Sequence, residues 1–144
     1  MNTAPNTIAS LLAACIWADG EYAEVERVTA EEVAEAFGIP DKDFHKYMTA
    51  AMVEVQNLTP EAATTYAVKH AQKVDPEEAG EVFQAIMQMM LCDGVLTAGE
   101  VYNLLAMAEA LDIDRESAVL MLCDMVKTEP ELEVSFENDD NEEE

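Results

Sequence analysis

Basic side chains are scarce in this sequence: 7 lysines and arginines stand against 31 acids, giving a formal net charge of -24. A surface so negative repels the phosphates of nucleic acids and anionic lipid headgroups, so neither is an expected partner. Glycine is scarce too, with 5 in 144 residues, and no glycine-rich phosphate loop is present. The 2 histidines, His45 and His70, have no Cys-x-x-Cys or His-x-x-x-His beside them. A zinc site therefore lacks its ligand pairs, and both rings are expected on helix surfaces or half-buried. The 3 cysteines, Cys15, Cys92 and Cys123, cannot all pair. Each lies in an apolar run, where a free thiol behaves as a small hydrophobe, so a reducing, cytoplasmic setting is expected. Leu11-Leu12-Ala13-Ala14-Cys15 looks like a lipoprotein cleavage box, but no Lys or Arg precedes it and the apolar stretch is short for an export signal. No apolar run approaches the roughly 20 residues needed to cross a bilayer, so no membrane insertion is expected.

What the chain does have is apolar residues, half of the total, enough for one sizeable core. They fall at helical spacing. Ile8, Leu11, Leu12, Cys15 and Ile16 follow i, i+3, i+4, i+7, i+8, and Phe44, Tyr47, Met48, Ala51, Met52 and Val55 do the same. The period recurs in Val82, Phe83, Ile86, Met87, Met90 and Leu91, in Val101, Leu104, Leu105, Ala108 and Leu111, and in Val119, Leu120, Leu122, Cys123 and Val126. Only Ala63 to Val74 is weakly apolar. Thr59-Pro60 and Asp75-Pro76 place an acceptor ahead of a first-turn proline, with Glu78 in capping-box register to Asp75. Thr97 and Glu100 form another such box, and Asp41 and Asp114 are expected caps. The pattern predicts seven helices, near 7-18, 23-37, 41-57, 60-73, 76-92, 98-111 and 115-127, and no strand.

The sequence also matches itself at an offset of 74. Ala18-Asp19-Gly20 answers Cys92-Asp93-Gly94, Glu26 answers Glu100, and Ala36-Phe37-Gly38-Ile39-Pro40 answers Ala110-Leu111-Asp112-Ile113-Asp114. Leu12 pairs with Ile86, Ile16 with Met90 and Met48 with Leu122 without a gap. The expected fold is all-α: a compact bundle of about seven helices, in which two three-helix repeats, near 8-57 and 82-127, are related by a pseudo-twofold axis and joined by the helix at 60-73. Residues 1-128 are the expected domain. Residues 129-144 hold 9 acids and no base, which leaves the body at -24 + 9 = -15. Disorder is expected after about residue 130, although Leu132, Val134 and Phe136 alternate and suit a weak docking on a partner or on the body.

Chemistry, if there is any, belongs to the two Asp-Gly turns, Asp19 to Glu26 and Asp93 to Glu100. Each sets one carboxylate in a loop and another in the first turn of the following helix. One reading is structural: glycine ends one helix and glutamate answers the dipole or cap of the next. Thr97 makes that reading nearly sufficient for the second turn. In the first, Ala23 stands where Thr97 would be and cannot cap, while Glu21 and Glu24 crowd beside Glu26. The other reading is a hard divalent cation, calcium or magnesium, held weakly by Asp19, Glu26, Asp93 and Glu100. The spacing is not that of an EF-hand. No cysteine-histidine or serine-histidine signature is present, so the chain reads as non-enzymatic; paired carboxylates do acid-base work only when one is desolvated. The 9 methionines read as core filling rather than as a soft-metal site with Cys92. Trp17 is expected to pack over the first turn. A protein partner with a basic face suits the charge, with or without metal.

The order apolar helix, Ala18-Asp19-Gly20-Glu21, Glu26, Ala36-Phe37-Gly38-Ile39, repeated as Cys92-Asp93-Gly94, Glu100 and Ala110-Leu111-Asp112-Ile113, resembles the TerB-like family over about residues 7 to 127. That group includes tellurite resistance proteins and a domain of certain J-domain co-chaperones. The resemblance implies an all-helical, internally duplicated fold. It also implies metal-chelating acids at the two turns, here Asp19, Glu26, Asp93 and Glu100, and a role in stress response or in assembling other proteins. The acidic tail and low lysine content depart from the pattern and speak against any role needing a basic surface.

Overall fold

A computed structural model describes residues 2-19, 24-92, 94-128 and 132-135, with the side chains of Trp17, Ala18, Asp19, Pro60, Val95 and Ser135 outside the description. Seven α-helices are present among these residues: α1 (Pro5–Asp19), α2 (Glu24–Ala36), α3 (Asp41–Val55), α4 (Pro60–Ala71), α5 (Ala79–Leu91), α6 (Ala98–Ala110) and α7 (Arg115–Lys127). A single 3-10 turn, Pro76–Glu78, leads into α5. The all-α expectation holds, with helix limits within a few residues of those read from the periodicity.

α1 is the centre of the molecule. It was expected to bury one face, yet every residue from Thr7 to Ile16 is buried, because α3, α4 and α5 all pack against it. Ala9, Ala13 and Ala14 on the sides between the large residues let those neighbours come close. The same device explains why α4 reads as weakly apolar. Its buried residues Ala63, Ala67 and Ala71 recur every four positions and form a narrow stripe against α1 and α6. α5 buries Val82, Phe83, Ile86, Met87, Met89, Met90 and Leu91, while Glu81, Gln84 and Gln88 mark its wet edge. Met48 and Met107 are buried as well, and Met52, Met121 and Met125 pack against the core, as core filling requires.

α7 departs from the expected face. Ala118 and Leu122 are buried and Met121, Met125 and Val126 are half-buried, but Val119, Cys123 and Leu120, the last 69% exposed, face outward. The cause is that α7 packs chiefly on one neighbour, α6, and so buries a stripe too narrow for all of its apolar residues.

The offset of 74 reappears in the element limits: Glu24–Ala36 shifted by 74 gives 98-110, the bounds of α6, and α3 begins at Asp41 as α7 begins at Arg115. It reappears in the turn that ends α2 and α6. Gly38 and Asp112 both have positive φ, 75° and 63°. In each turn the next N–H reaches back to the helix, Ile39 to the Ala34 carbonyl at 2.9 Å and Ile113 to the Ala108 carbonyl at 2.8 Å. Packing partners differ between the halves, since α3 lies along α1 whereas α7 leans on α6.

No strand was expected, and two short ones are present. β1 (Val95–Thr97) and β2 (Glu133–Ser135) pair in parallel, with α6 and α7 as the crossover. Three-residue strands show no usable alternation, and β1 finds its partner only through the tertiary fold. Leu132 packs on the core, the docking that the alternation in the tail allowed. Residues 129-131 and 136-144, on which most of the expected disorder falls, lie outside the described residues.

Two of the expected helix caps take another form. Asp41 is the first residue of α3 and Pro40 holds the cap position; Asp114 holds the cap position of α7 without a side-chain bond. Thr59 caps α4 as expected, accepting from the Ala62 N–H at 3.1 Å. No helix among the described residues is long and apolar enough to cross a membrane.

Candidate functional site

Of the four carboxylates singled out, Glu26 and Glu100 are placed in full. Each sits in the first turn of its helix, α2 or α6, and each is only 3% exposed. Asp19 is the last residue of α1, with its side chain outside the description, and Asp93 lies outside the described residues, as do Gly20, Glu21, Tyr22 and Ala23. The expected packing of Trp17 over the first turn falls there too.

Glu100 completes a capping box. Its Oε1 accepts the Thr97 N–H at 3.0 Å, and Thr97 Oγ1 accepts the Glu100 N–H at 3.2 Å. A buried carboxylate needs such donors, because desolvation without them costs several kcal/mol, on the order of 3 or more. The helix N-terminus adds a favourable positive dipole end. Glu26 is partnered as well, and its helix start lacks a threonine at the equivalent position. Two acids 74 residues apart are thus buried in the first turn of their helices. Among the described residues no group of three or more His, Cys, Asp or Glu comes together to hold a metal ion, so Glu26 and Glu100 would depend on their loops for further oxygen ligands.

The remaining sequence candidates are dispersed. His45 is exposed on α3; His70 is half-buried on α4, its ring 4.2 Å from that of Tyr66 and its Nδ1 2.9 Å from the Tyr66 carbonyl. Cys15 is buried, Cys92 half-buried and Cys123 exposed.

Two polar networks escape sequence reasoning. The first ties the N-terminal residues to the turn before α5. Glu78 accepts the Asn2 N–H at 2.9 Å, the Thr3 N–H at 2.7 Å and the Thr3 hydroxyl at 2.5 Å, while Thr3 Oγ1 accepts the Asp75 N–H at 3.0 Å. The Thr3 hydroxyl, then the Asn2 N–H, hold the Glu78 carboxyl below its ordinary range. Asp75 caps the 3-10 turn through the Glu77 N–H at 2.8 Å, so the expected box with Glu78 does not close. The capping register flagged Glu78 as an acceptor, but nothing local pointed to Thr3. In the second network the Tyr66 hydroxyl donates to Glu54 at 2.7 Å. Burial, opposed by a bond to Ser10 and reinforced by the Glu54 carboxylate, pushes the phenol up to about 12. The network ties α4 to α3 and α1.

A strongly acidic all-α bundle with a buried glutamate opening the helix after each Asp-Gly turn is a small helical module without a catalytic constellation among its described residues. The profile of the family described as tellurite resistance protein TerB matches residues 6–121. The chain belongs to the TerB family. No curated protein and no solved structure is significantly similar to it.

Proposed function

We propose that this TerB-family chain is a non-enzymatic binding module that holds a divalent cation, calcium or magnesium, weakly at its Asp-Gly turns and engages a protein partner through its acidic surface. The observation that carries the ion half is the matched burial of Glu26 and Glu100, each 3% exposed in the first turn of the helix that follows an Asp-Gly pair. Asp19 with Glu26, and Asp93 with Glu100, would supply the carboxylates, and a hard cation would complete its shell from backbone carbonyls and water. The first turn is the better candidate, since Glu21 and Glu24 stand beside Glu26 in the sequence and add carboxylates there. Family membership supports a setting in stress response or in the assembly of other proteins. Calorimetric titration with calcium and with magnesium tests the ion half. Heat is expected, and Asp19→Asn and Glu26→Gln should each abolish most of it; no heat, or heat that both variants leave unchanged, removes the claim.

The capping role of Glu100 favours a second reading, in which the turns serve structure alone and the function is docking on a basic partner by charge. Capture of a basic partner that weakens steeply with salt, alongside a silent titration, selects this reading.

A further inference from the structure

β1 is held in place from three directions. Gly94, with φ 84°, closes α5 by donating to the Leu91 carbonyl at 3.0 Å. Leu96 is anchored in the core at 5% exposure, and Thr97 is locked as the cap of α6. Two of these, the Gly94 bond to Leu91 and the Thr97 cap, involve no residue of β2. The segment paired with β1 is far less secured. It contributes three residue pairs, Val95 to Glu133, Leu96 to Val134 and Thr97 to Ser135, and the Glu133 N–H donates to the Gly94 carbonyl at 2.9 Å. Of its side chains, Leu132 is half-buried, whereas Glu133 and Val134 are exposed, Val134 by 51%. An isolated two-stranded ladder is marginal in water, and a parallel one is slightly weaker per residue. A rigid strand edge covered by a loosely anchored segment is the arrangement used in strand-addition recognition.

Charge argues that the covering segment is not the best occupant. Residues 129-144 carry 9 acids and no base, and Leu132–Ser135 among them lies against a body of net charge -15. Like charge opposes like, whereas a basic segment of the same extended form would be drawn to the same place.

We propose that the edge of β1 is a docking site for an extended segment of a partner protein that alternates apolar and basic residues, and that Leu132–Ser135 occupies this edge in cis and must be displaced. This rests on the partner-binding half of the reading above and adds where the partner sits and what regulates it. The partner's main chain takes over the parallel ladder, an apolar side chain replaces Leu132 against the core, and its lysines face the acidic body.

The test uses the full chain and a synthetic peptide alternating lysine with leucine and valine, alongside a control of equal charge with proline at every second apolar position. Binding is read by fluorescence anisotropy and located by the amide resonances of Leu96 and Thr97. Glu133→Pro removes the N–H that donates to the Gly94 carbonyl and Leu132→Ser removes the apolar anchor, and both positions lie outside the helices. If β2 covers the edge nine-tenths of the time, about one-tenth of molecules are competent, so each variant tightens the peptide by up to about tenfold. The expected result is a shift at Leu96 and Thr97, tighter binding in both variants and no such shift with the proline control. Binding of equal strength in the parent and both variants overturns the proposal, as does equal binding of the control peptide, absence of binding, or strand exchange between two copies. Salt-sensitive binding without β1 shifts would sink this proposal and leave the docking-by-charge reading standing.

Discussion

At the scale of single residues, the backbone turn that ends α2 and α6 and the cap that opens α6 are the most exposed to test. Gly38 has φ 75° and open space around its missing Cβ, so Gly38→Ala meets no neighbour and its cost is conformational alone, roughly 1 kcal/mol. Asp112 occupies the equivalent turn at φ 63° as a non-glycine, and Asp112→Gly relieves the same strain, for a gain of up to about 1 kcal/mol. Urea denaturation of the two variants should give shifts of opposite sign. Thr97→Ala removes the acceptor for the Glu100 N–H and should cost about 1 kcal/mol. Glu100→Gln keeps a carbonyl oxygen for the Thr97 N–H and should cost less than the threonine variant; the reverse order in the same assay would mean that the carboxylate charge matters beyond the cap. Thr97 and Glu100 were legible in the sequence because a capping box lies within four residues. The burial of Glu26 was not, since Ala23 leaves no local pattern that accounts for it.

At the scale of elements, the clasp between the N-terminal residues and the turn before α5 gives a pH dependence with a definite sign. The folded Glu78 carboxyl titrates below its ordinary 4.5, so its contribution is present above that value and is lost as pH falls through the lowered one. The Thr3 amide resonance should move with a midpoint under 4.5, and Glu78→Gln should remove that transition. A midpoint at or above 4.5 would contradict the clasp. The seven helices were readable because their period repeats over three turns or more. The face of α7 was misread because periodicity reports which residues are apolar and not how many neighbours the fold supplies: Leu120 and Cys123 stay outside for want of a second packing partner. β1 and β2 were invisible for a related reason, as Leu96 meets Val134 only after α6 and α7 have brought the chain back.

At the scale of the whole molecule, a net charge of -24 with 7 bases makes self-repulsion a global term. The ion pairs of Arg27 with Glu24 at 3.8 Å and with Glu31 at 3.4 Å are exposed and offset little of it. Monovalent salt should therefore raise the melting temperature by screening, and a fall on adding salt would contradict this account. Against that repulsion stands the core around α1. Phe83, 1% exposed on α5, should be among its most costly positions, with Phe83→Ala losing roughly 3 to 5 kcal/mol in thermal or chemical unfolding.

The sequence alone determined the helical class, the succession of helices, the repeat offset of 74 and the acidic character, because periodicity, caps and charge are local or additive properties of a chain. Only the tertiary structure decided that α1 is buried all round from Thr7 to Ile16, that Glu78 holds Thr3, that Tyr66 reaches Glu54, and that the segment after α7 returns to β1. Each of those depends on contacts between residues far apart in the chain, and their pairing is fixed by how the helices pack rather than by any spacing along the sequence.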